Sequence, residues 1–242
     1  MSYANLSANV EKVDEGALLG LHKLLARTRD VPAGLKKPVV GSWMQLPGAN
    51  LARMIASMGF DFVLVDAEHG DIDDGEMHRL VAAIGNQGCS PIVRIPAPEN
   101  FIVKRALDTG VIFKQSMGDY LANANKQIFL AVQIETEEGL ENCEEIAKVD
   151  GIDMLFVGPN DLCSSMGLPP LNHPNEPLVQ AAIARVLKAA HEAGKYAGMF
   201  CVTPEQVLQR AEQGFDFMNL GADTVAVGAW NGQALKAIEK IR

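Results

Sequence analysis

Seven short apolar runs alternate with helical patterns along most of this chain, and this alternation constrains the fold more than any other feature. The runs are rich in Val, Ile and Phe and mostly lack strict alternation, which is typical of parallel strands covered on both faces. Many of the helical segments between them end in glycine, as helix C-termini prefer. The apolar runs occupy residues 39–44, 60–68, 90–96, 128–136, 153–161, 195–201 and 215–223. Helices are predicted over residues 7–29, 49–59, 76–88, 100–110, 137–151, 178–194, 204–214 and 231–241.

Repeated strand–helix units of roughly 25–35 residues predict an α/β fold, a (β/α)8 TIM barrel, since that fold takes about 250 residues. A doubly wound open sheet is the alternative. Polar residues follow nearly every apolar run. A barrel would bring all of them to one rim, whereas an open sheet would gather them at one switch point. We therefore favour a barrel over residues 37–242, preceded by a helical extension over residues 1–36.

One of the eight expected strands is missing from the pattern. The third run ends near Pro96 and the next clear run begins near Ile128, with one predicted helix between them. The apolar stretch Val111–Phe113 lies in this interval, but it is shorter than the usual ~5–6 residues of a strand. Either a strand–helix unit around the fourth strand has been deleted, or residues have been left out of the sequence.

The composition argues against several classes of function. The chain has 21 Lys and Arg residues against 30 Asp and Glu, a net charge of −9, which disfavours binding to nucleic-acid phosphates or to an anionic membrane. No apolar stretch approaches the length of a membrane helix, and residues 1–16 lack the pattern of a secretory signal. Four scattered cysteines without a CxxC pair indicate a reducing compartment. We expect a cytoplasmic protein.

Two acidic residues, Glu135 and Asp161, come at the ends of apolar runs, in the segments VQIETEEG and FVGPNDL. Adjacent strand ends of a barrel would bring the two carboxylates close enough to share one cation. Carboxylates suit a hard divalent ion such as Mg²⁺ or Mn²⁺ better than thiolates do. The alternative is that both residues belong to the N-terminal caps of the helices that follow.

Asp66, His69 and Arg94 are the candidates for acid–base and electrostatic catalysis. Asp66 and His69 follow a strand directly, and a carboxylate that orients an imidazole makes a usable general base. A structural hydrogen bond in a loop is the alternative. Arg94 lies inside an apolar strand, where a guanidinium must meet an anion. That anion is either a protein carboxylate or a substrate oxygen that gains charge during the reaction.

Several familiar motifs are absent from the chain. There is no GxGxxG, no GxxxxGK[ST] and no GxSxG, so dinucleotide, P-loop and nucleophile-elbow sites lack support. No lysine lies inside a clear strand, which disfavours a Schiff-base aldolase. The run Gly158–Asn160 leads into a predicted helix, whose first N–H groups could bind a carboxylate or phosphate.

Four segments, VDAEHGDID, PIVRIP, VQIETEEG and FVGPNDLCSSMG, together resemble one known group of enzymes. In this order they are similar to the metal-dependent, class II pyruvate aldolases of the 4-hydroxy-2-oxoheptanedioate aldolase family, within the phosphoenolpyruvate/pyruvate barrel superfamily. The resemblance runs from about Val39 to Asp223. It implies a (β/α)8 barrel that holds Mg²⁺ or Mn²⁺, with Co²⁺ as a further candidate. It also implies a homo-oligomer, commonly a hexamer built as a trimer of dimers that exchange the last helix.

The resemblance further assigns roles to residues of this chain. It implies that the metal is held by Glu135 and Asp161, that Arg94 stabilises the enolate oxygen, and that His69, oriented by Asp66, acts as the base. The substrate-binding positions that it implies are Gln133, Gly158, Pro159, Asn160 and Trp43.

The implied activity is cleavage of 2-oxo-3-deoxy sugar acids or 4-hydroxy-2-oxo acids to pyruvate and an aldehyde. Oxaloacetate decarboxylation and a lyase acting on acyl-CoA are enzyme alternatives. A non-catalytic barrel remnant is the alternative outside enzymes, because this chain departs from the family between Gly110 and Lys114. The family has there a strand ending near a proline, followed by a helix and a loop, and none of these is visible.

Overall fold

The computed structural model describes residues 20–29, 31, 36–107 and 116–241, and seven parallel strands form one sheet within them. Each predicted apolar run contains one strand, so the strand predictions are confirmed. The strands are β1 (Val39–Met44), β2 (Phe62–Asp66), β3 (Ser90–Arg94), β4 (Ala131–Ile134), β5 (Met154–Val157), β6 (Tyr196–Met199) and β7 (Phe217–Ala222).

Helices separate successive strands in the described chain. The α-helices are α1 (Gly20–Ala26), α2 (Ala49–Ala56), α3 (Asp74–Gly85), α4 (Asn100–Leu107), α5 (Met117–Gln127), α6 (Glu137–Glu141), α7 (Cys143–Ala147), α8 (Pro159–Ser165), α9 (Pro177–Glu192), α10 (Pro204–Gln213) and α11 (Asp223–Ala237). Short 3₁₀ helices cover Pro170–Asn175 and Glu239–Ile241. None of the described helices combines the length and apolarity that crossing a membrane requires.

The predicted start of the last helix, at residue 231, is wrong. Helix α11 begins at Asp223, as soon as β7 ends, and the Asp223 carboxylate accepts the N–H of Thr224 at 2.7 Å in its first turn. Of the helix predicted over residues 7–29, only Gly20–Ala26 is helical among the described residues, and residues 7–19 lie outside them.

The strand order follows the chain round the sheet in one direction. The order is β3-β2-β1-β7-β6-β5-β4, and all observed pairs are parallel. After β3 the chain crosses to the far edge and returns strand by strand until β7 pairs with β1. This winding is the one that a barrel requires. It sets aside the doubly wound alternative, in which the winding direction reverses at a switch point.

The two faces of the sheet have different partners. Along β5, Met154 and Phe156 pack on the inner face, whereas Leu155 and Val157 pack outwards against helices. Of the described helices, α1 alone contributes side chains to the inner cluster, and the outer face of the sheet is covered by other helices. The buried residues of this inner cluster are Leu21, Leu25, Val39, Trp43, Phe62, Leu64, Met154, Phe156, Tyr196, Phe217 and Ala222.

Aromatic contacts across the inner face show that the sheet curls. Trp43 on β1 and Phe156 on β5 have ring centroids 5.7 Å apart, although β7 and β6 lie between their strands. A flat sheet would separate strands three places apart by about 14 Å. Phe62 and Phe217 stack at 4.0 Å beside Gly41, where a Cβ would collide with the Phe62 ring. The strands therefore close round an aromatic interior.

Helix α1 packs at the N-terminal ends of the strands. Leu21 and Leu25 are buried in the inner cluster, and the His22 ring lies 5.3 Å from that of Phe129, just before β4. The guanidinium of Arg29 lies 4.4 Å above the ring of Tyr196. The predicted domain boundary at residue 36 stays a prediction.

The sheet is a partial barrel. Its edges are β3 and β4, which in a closed barrel would be joined through an eighth strand. Along β3 all five side chains are only half-buried, and β4 begins at the exposed Ala131. The short run Val111–Phe113, the one stretch that the sequence offers for the missing strand, lies outside the described residues. The structure thus shows seven parallel strands of the predicted eight.

Candidate active site

The predicted catalytic and metal-binding residues lie at the C-terminal ends of four strands, at the end of the sheet opposite α1. Asp66 ends β2 and Arg94 ends β3, and the two are register partners in adjacent strands. Glu135 follows β4, and Asp161 lies in α8 directly after β5. This rim is where barrel enzymes place their chemistry.

Asp66 is fully buried, and six donors surround its carboxylate. Its Oδ1 accepts the Nε of Arg94 at 2.8 Å and the backbone N–H groups of His69 and Glu68 at 3.1 and 3.2 Å. Its Oδ2 accepts the Nη2 of Arg94, the indole N–H of Trp43 at 2.9 Å and the amide of Gln45 at 3.1 Å. Each oxygen therefore has three donors.

These donors keep Asp66 charged in a buried position. Burial alone would raise the pKa of Asp66, but the hydrogen bonds from Arg94 and from the His69 N–H, together with the Arg94 charge, outweigh it and lower the pKa to about 2. A carboxylate held in this state is a fixed acceptor and does not exchange protons near neutral pH. Asp66 is therefore an anchor for its neighbours and not an acid or base itself.

Arg94 meets a protein carboxylate, which was one of its two predicted anions. It donates through Nε and Nη2 to Asp66, and its Nε lies 3.4 Å from Glu68 Oε2. The guanidinium carbon lies 5.0 Å above the Trp43 ring. Among the described residues, no hydrogen bond uses the Nη1 of Arg94. This edge of the guanidinium is the part that a substrate oxygen could approach.

The predicted contact between the Asp66 carboxylate and the His69 imidazole is wrong for this structure. Asp66 accepts the backbone N–H of His69 and the two side-chain donors of Arg94, so its oxygens are already occupied. The His69 side chain is exposed, and its ring has no hydrogen-bond partner within the described part of the chain. Asp66 thus fixes the backbone at His69 but does not fix the orientation of the His69 imidazole.

Trp43 plays a supporting part in this arrangement. It is 3% exposed, donates to Asp66 and lies under the guanidinium of Arg94. It also makes an edge contact with Phe200 at 5.4 Å. The predicted substrate-binding position is thus a buried support beneath the two charged residues.

Glu135 lies among several charges. Burial raises its pKa above the ordinary value; the hydrogen bond from the Gln133 amide opposes that effect, and the negative charges of Asp161 and Glu68 raise the pKa further. The charge of Arg94 lowers it. Glu135 therefore shares the C-terminal end of the sheet with Glu68, Arg94 and Asp161.

Gly158 lies against the side chains of Gln133 and Glu135. A Cβ there would lie 2.6 Å from the Nε2 of Gln133 and 2.9 Å from the Oε2 of Glu135. A side chain here would push the Gln133 amide and the Glu135 carboxylate aside, and so glycine lets the backbone at the start of α8 approach both groups in their present positions.

The donor set fits a hard divalent cation. A cation between Glu135 and Asp161 would remove the mutual repulsion that raises the Glu135 pKa, and carboxylate oxygens are preferred by Mg²⁺ and Mn²⁺. The described residues contain no group of three or more His, Cys, Asp or Glu side chains that could hold a metal ion. Two carboxylates would therefore need water or substrate oxygens to complete the coordination.

The backbone at residues 158–160 offers fewer donors than predicted. The N–H of Gly158 donates to the carbonyl of Ile134 at 3.3 Å, and Pro159 has no N–H. The Gly158 carbonyl is also taken, by the N–H of Leu162. The N–H groups of Asn160 and the residue after it remain as candidates for binding a substrate carboxylate.

The prediction missed two residues of this cluster, Gln45 and Glu68. Gln45 directly follows β1, so its place as a polar residue at a strand end was the signal that could have revealed it. Asn219, a polar residue in β7, is a structural residue: its amide bonds to the N–H and carbonyl of Cys201 at 3.0 Å each.

The profile described as HpcH/HpaI aldolase/citrate lyase matches residues 109–228. A hydroxypyruvate/pyruvate aldolase of Paraburkholderia phytofirmans is 33% identical to this chain, over 83% of the chain and 93% of the aldolase. The chain belongs to the HpcH/HpaI aldolase/citrate lyase family.

Further members of the HpcH/HpaI family agree in sequence and fold. A 2-dehydro-3,6-dideoxy-6-sulfogluconate aldolase of Pseudomonas putida is 31% identical over 83% of this chain and 92% of that protein. The crystal structure of an HpcH/HpaI family protein from Burkholderia cenocepacia superposes with a TM-score of 0.76 at 30% identity, covering 90% of this chain and 99% of that one. The narrower resemblance to the 4-hydroxy-2-oxoheptanedioate aldolases is not singled out by these relatives.

The alignment with the Paraburkholderia aldolase also bears on the missing strand. It spans 244 positions, more than the whole chain, although only 83% of the 242 residues take part. Several tens of the aligned positions therefore have no counterpart here. An HpcH/HpaI member that lacks one strand–helix unit would give this result.

Proposed function

We propose that this chain is a class II aldolase that cleaves 2-oxo-3-deoxy sugar acids or 4-hydroxy-2-oxo acids to pyruvate and an aldehyde. The observation that carries the proposal is the placement of Arg94, Glu135 and Asp161 at one rim, at the C-terminal ends of β3, β4 and β5. Membership of a family of aldolases and citrate lyases supports carbon–carbon bond cleavage as the reaction class.

A divalent cation is part of the proposal. Glu135 and Asp161 would hold it, and when bound it would supply positive charge beside the 2-oxo and carboxylate oxygens of the substrate. Mg²⁺ and Mn²⁺ are the leading candidates on donor chemistry, and Co²⁺ is a further one. Gln133, hydrogen-bonded to Glu135, would fix the orientation of that carboxylate.

The reaction breaks the bond between C3 and C4 of the 2-oxo acid. A base removes the proton of the C4 hydroxyl, the C4 oxygen becomes the aldehyde carbonyl, and the electron pair of the broken bond forms the enolate of pyruvate. A proton delivered to C3 then completes pyruvate. The residues of this chain must therefore accept one proton and stabilise one developing negative charge.

Arg94 is suited to the developing charge. Asp66 holds its guanidinium at two points, and the Nη1 edge, which has no hydrogen bond to the described residues, is preorganised before substrate arrives. Asp66 and Glu68 also neutralise part of its charge, so Arg94 orients the enolate oxygen as much as it attracts it.

His69 is the proposed base. It lies in the exposed turn after β2, at the same rim, with its backbone N–H fixed by Asp66. An imidazole titrates near neutral pH and can both accept and return a proton. The exposed ring leaves room for an aldehyde of variable size.

The proposed assembly is a homo-oligomer, of the hexameric kind built from three dimers. Helix α11 supports it, because its apolar side chains project into solvent in this structure. Exposed apolar residues of this C-terminal region are Val225, Val227, Trp230, Leu235, Ile238 and Ile241. A second copy of the chain would bury these apolar side chains of α11. The proposed compartment is the cytoplasm.

Among the described residues no strand lies between β3 and β4, and this favours one competing function, that of a non-catalytic remnant. Arg94 ends β3 at one edge of this gap, and Glu135 follows β4 at the other edge. A remnant would keep the fold but would neither bind a divalent cation at this rim nor turn over pyruvate.

The experiment that tests the proposal is release of pyruvate from a panel of 4-hydroxy-2-oxo acids and 2-oxo-3-deoxy sugar acids. Pyruvate is measured with lactate dehydrogenase and NADH, with Mg²⁺ or Mn²⁺ and then with EDTA. Release that requires the cation supports the aldolase. No release from any member of the panel, by protein that is folded by circular dichroism, supports the remnant.

A further inference from the structure

The side-chain amide of Gln45 joins two parts of the molecule. Its Nε2 donates to Asp66 Oδ2 at 3.1 Å, and its Oε1 accepts the hydroxyl of Thr224 at 2.8 Å. The orientation of the amide follows from its partners: a carboxylate can only accept, so the NH₂ group faces Asp66 and the oxygen is left for the hydroxyl. The end of β1 is thus connected to β2 on one side and to the first turn of α11 on the other.

The backbone at Gln45 is held separately. The Asp223 carboxylate accepts the N–H of Gln45 at 3.0 and 3.1 Å and the N–H of Leu46 at 2.9 Å. Asp223 is 5% exposed, so this clamp is largely shielded from water. Because the clamp does not use the Gln45 amide, side-chain changes can remove the link to Asp66 while the loop stays attached to α11.

We propose that Gln45 is a positioning residue, which sets the Asp66 carboxylate and through it the guanidinium of Arg94, with Thr224 holding the amide in place. This role rests on the proposed aldolase function. Through Thr224, the position of Asp66 and Arg94 then depends on the first turn of α11.

The physical reason lies in how the donors share the two oxygens of Asp66. Oδ2 is shared by Trp43, Gln45 and Arg94. When the Gln45 donor is lost, the carboxylate turns towards the remaining donors and carries Arg94 with it. When Thr224 loses its hydroxyl, the amide becomes free to rotate away. Supporting residues of this kind typically change activity by about 10-fold or more.

The test uses a matched pair of variants at an exposed position. Thr224→Val keeps the shape of the side chain and removes the hydroxyl, whereas Thr224→Ser keeps the hydroxyl. Gln45→Ala removes the whole bridge. The first readout is the rate of deuterium exchange into the pyruvate methyl group at saturating pyruvate with Mg²⁺, compared with the pyruvate concentration at half-maximal rate.

The second readout does not depend on activity. The chain has two tryptophans, so Trp230→Phe leaves Trp43 as the one emitter, and its indole N–H donates to Asp66. In that background the emission of Trp43 reports on the carboxylate. A merely structural role would lower the melting temperature without moving either the emission or the exchange rate of the folded protein.

The proposal expects a maximal exchange rate lower by about 10-fold in Gln45→Ala and Thr224→Val, with shifted Trp43 emission and an unchanged half-maximal pyruvate concentration. Thr224→Ser should match the wild type in all three. Wild-type exchange rates in Gln45→Ala and Thr224→Val overturn the positioning role and leave the aldolase standing. A wild-type protein that exchanges nothing overturns the aldolase, and the positioning role falls with it.

Discussion

Arg94 donates to Asp66 through both Nε and Nη2, and the two residues end adjacent strands. The Asp66 carboxylate also accepts two backbone N–H groups and the side chains of Trp43 and Gln45. Six hydrogen bonds to the Asp66 carboxylate hold the pair in place. For the proposed chemistry, this arrangement fixes the orientation of the Nη1 edge of Arg94 before any substrate binds.

Breaking this pair should cost stability. Asp66→Asn leaves the guanidinium without its buried partner, and such losses amount to about 3 kcal/mol or more. The pKa of Asp66 is lowered, so its contribution is complete above the ordinary value near 3.8 and is lost as the pH falls towards 2. Urea unfolding at pH 7 measures the loss. Glu145→Gln, in the exposed pair with Lys148, is the control and should leave the free energy of unfolding nearly unchanged. An equally small effect for Asp66→Asn would contradict the account.

Replacing a proposed metal ligand should affect binding without unfolding the chain. In Glu135→Gln and Asp161→Asn the affinity for Mn²⁺, measured by titration calorimetry, should fall at least 10-fold. Stability of Glu135→Gln should be equal or higher, because burial and neighbouring carboxylates disfavour the Glu135 charge. Glu137→Gln, an exposed residue two positions later, is the matched control and should bind Mn²⁺ like the wild type. Unchanged affinity in the first two variants would remove the ligand assignment.

His69→Ala should separate binding from catalysis. The variant should retain Mn²⁺ binding and lose pyruvate release by about 10²- to 10⁴-fold, the usual contribution of a general base. His78→Ala, on α3, serves as the histidine control. An unaltered rate of pyruvate release in His69→Ala would show that His69 is not the base.

Protonation of a buried histidine should weaken the fold in mild acid. His173 is 5% exposed, and burial, with the nearby Arg210 charge, lowers its pKa to about 4. As the pH falls below about 6.5, His173 therefore takes up a proton in the unfolded chain but stays neutral in the folded chain. Stability is therefore complete above that pH and falls as the pH drops from 6.5 towards 4. His173→Asn should flatten the dependence of the urea midpoint on pH in this window. If the urea midpoint changes with pH equally in the variant and the wild type, His173 is not the source of the pH dependence.

The exposed apolar face of α11 should be covered in solution. Trp230 is 70% exposed here, and Trp230→Glu should shift the sedimentation of the protein from an oligomer to a smaller species. Gln87→Glu, at an exposed position after α3, adds the same single negative charge away from this helix and is the control. A wild-type chain that sediments as a monomer would refute the proposed assembly.

The strands were predictable from sequence because the signal for a covered parallel strand is local. The run that became β5 is a continuous stretch of apolar residues, and the run that became β1 is interrupted only by Gly41 and Ser42, so no long-range information is needed to recognise either. The convergence of Arg94 and Glu135 was predictable for a different reason. Once parallel strands wind round one axis, their C-terminal ends share a rim whatever the loops do.

The contacts within the rim were beyond sequence reasoning. Whether Arg94 would meet a protein carboxylate depended on side chains from β1, from the residue after β1 and from β3 converging on Asp66 in β2, which no local pattern records. The same crowding made the predicted Asp66–His69 pairing wrong, since the carboxylate is filled by other donors. The start of α11 was missed because its apolar residues face solvent and give no amphipathic pattern.

The measurement that tests the central claim most directly is deuterium exchange at the methyl group of pyruvate. The protein is incubated with pyruvate in D₂O, with Mg²⁺ and then with EDTA, and loss of the methyl proton signal is followed by NMR. The account predicts exchange with Mg²⁺, none beyond background with EDTA, and none in Glu135→Gln. Absence of exchange by folded wild-type protein with every divalent cation tried would contradict it and would identify the chain as a member of its family that no longer forms the enolate.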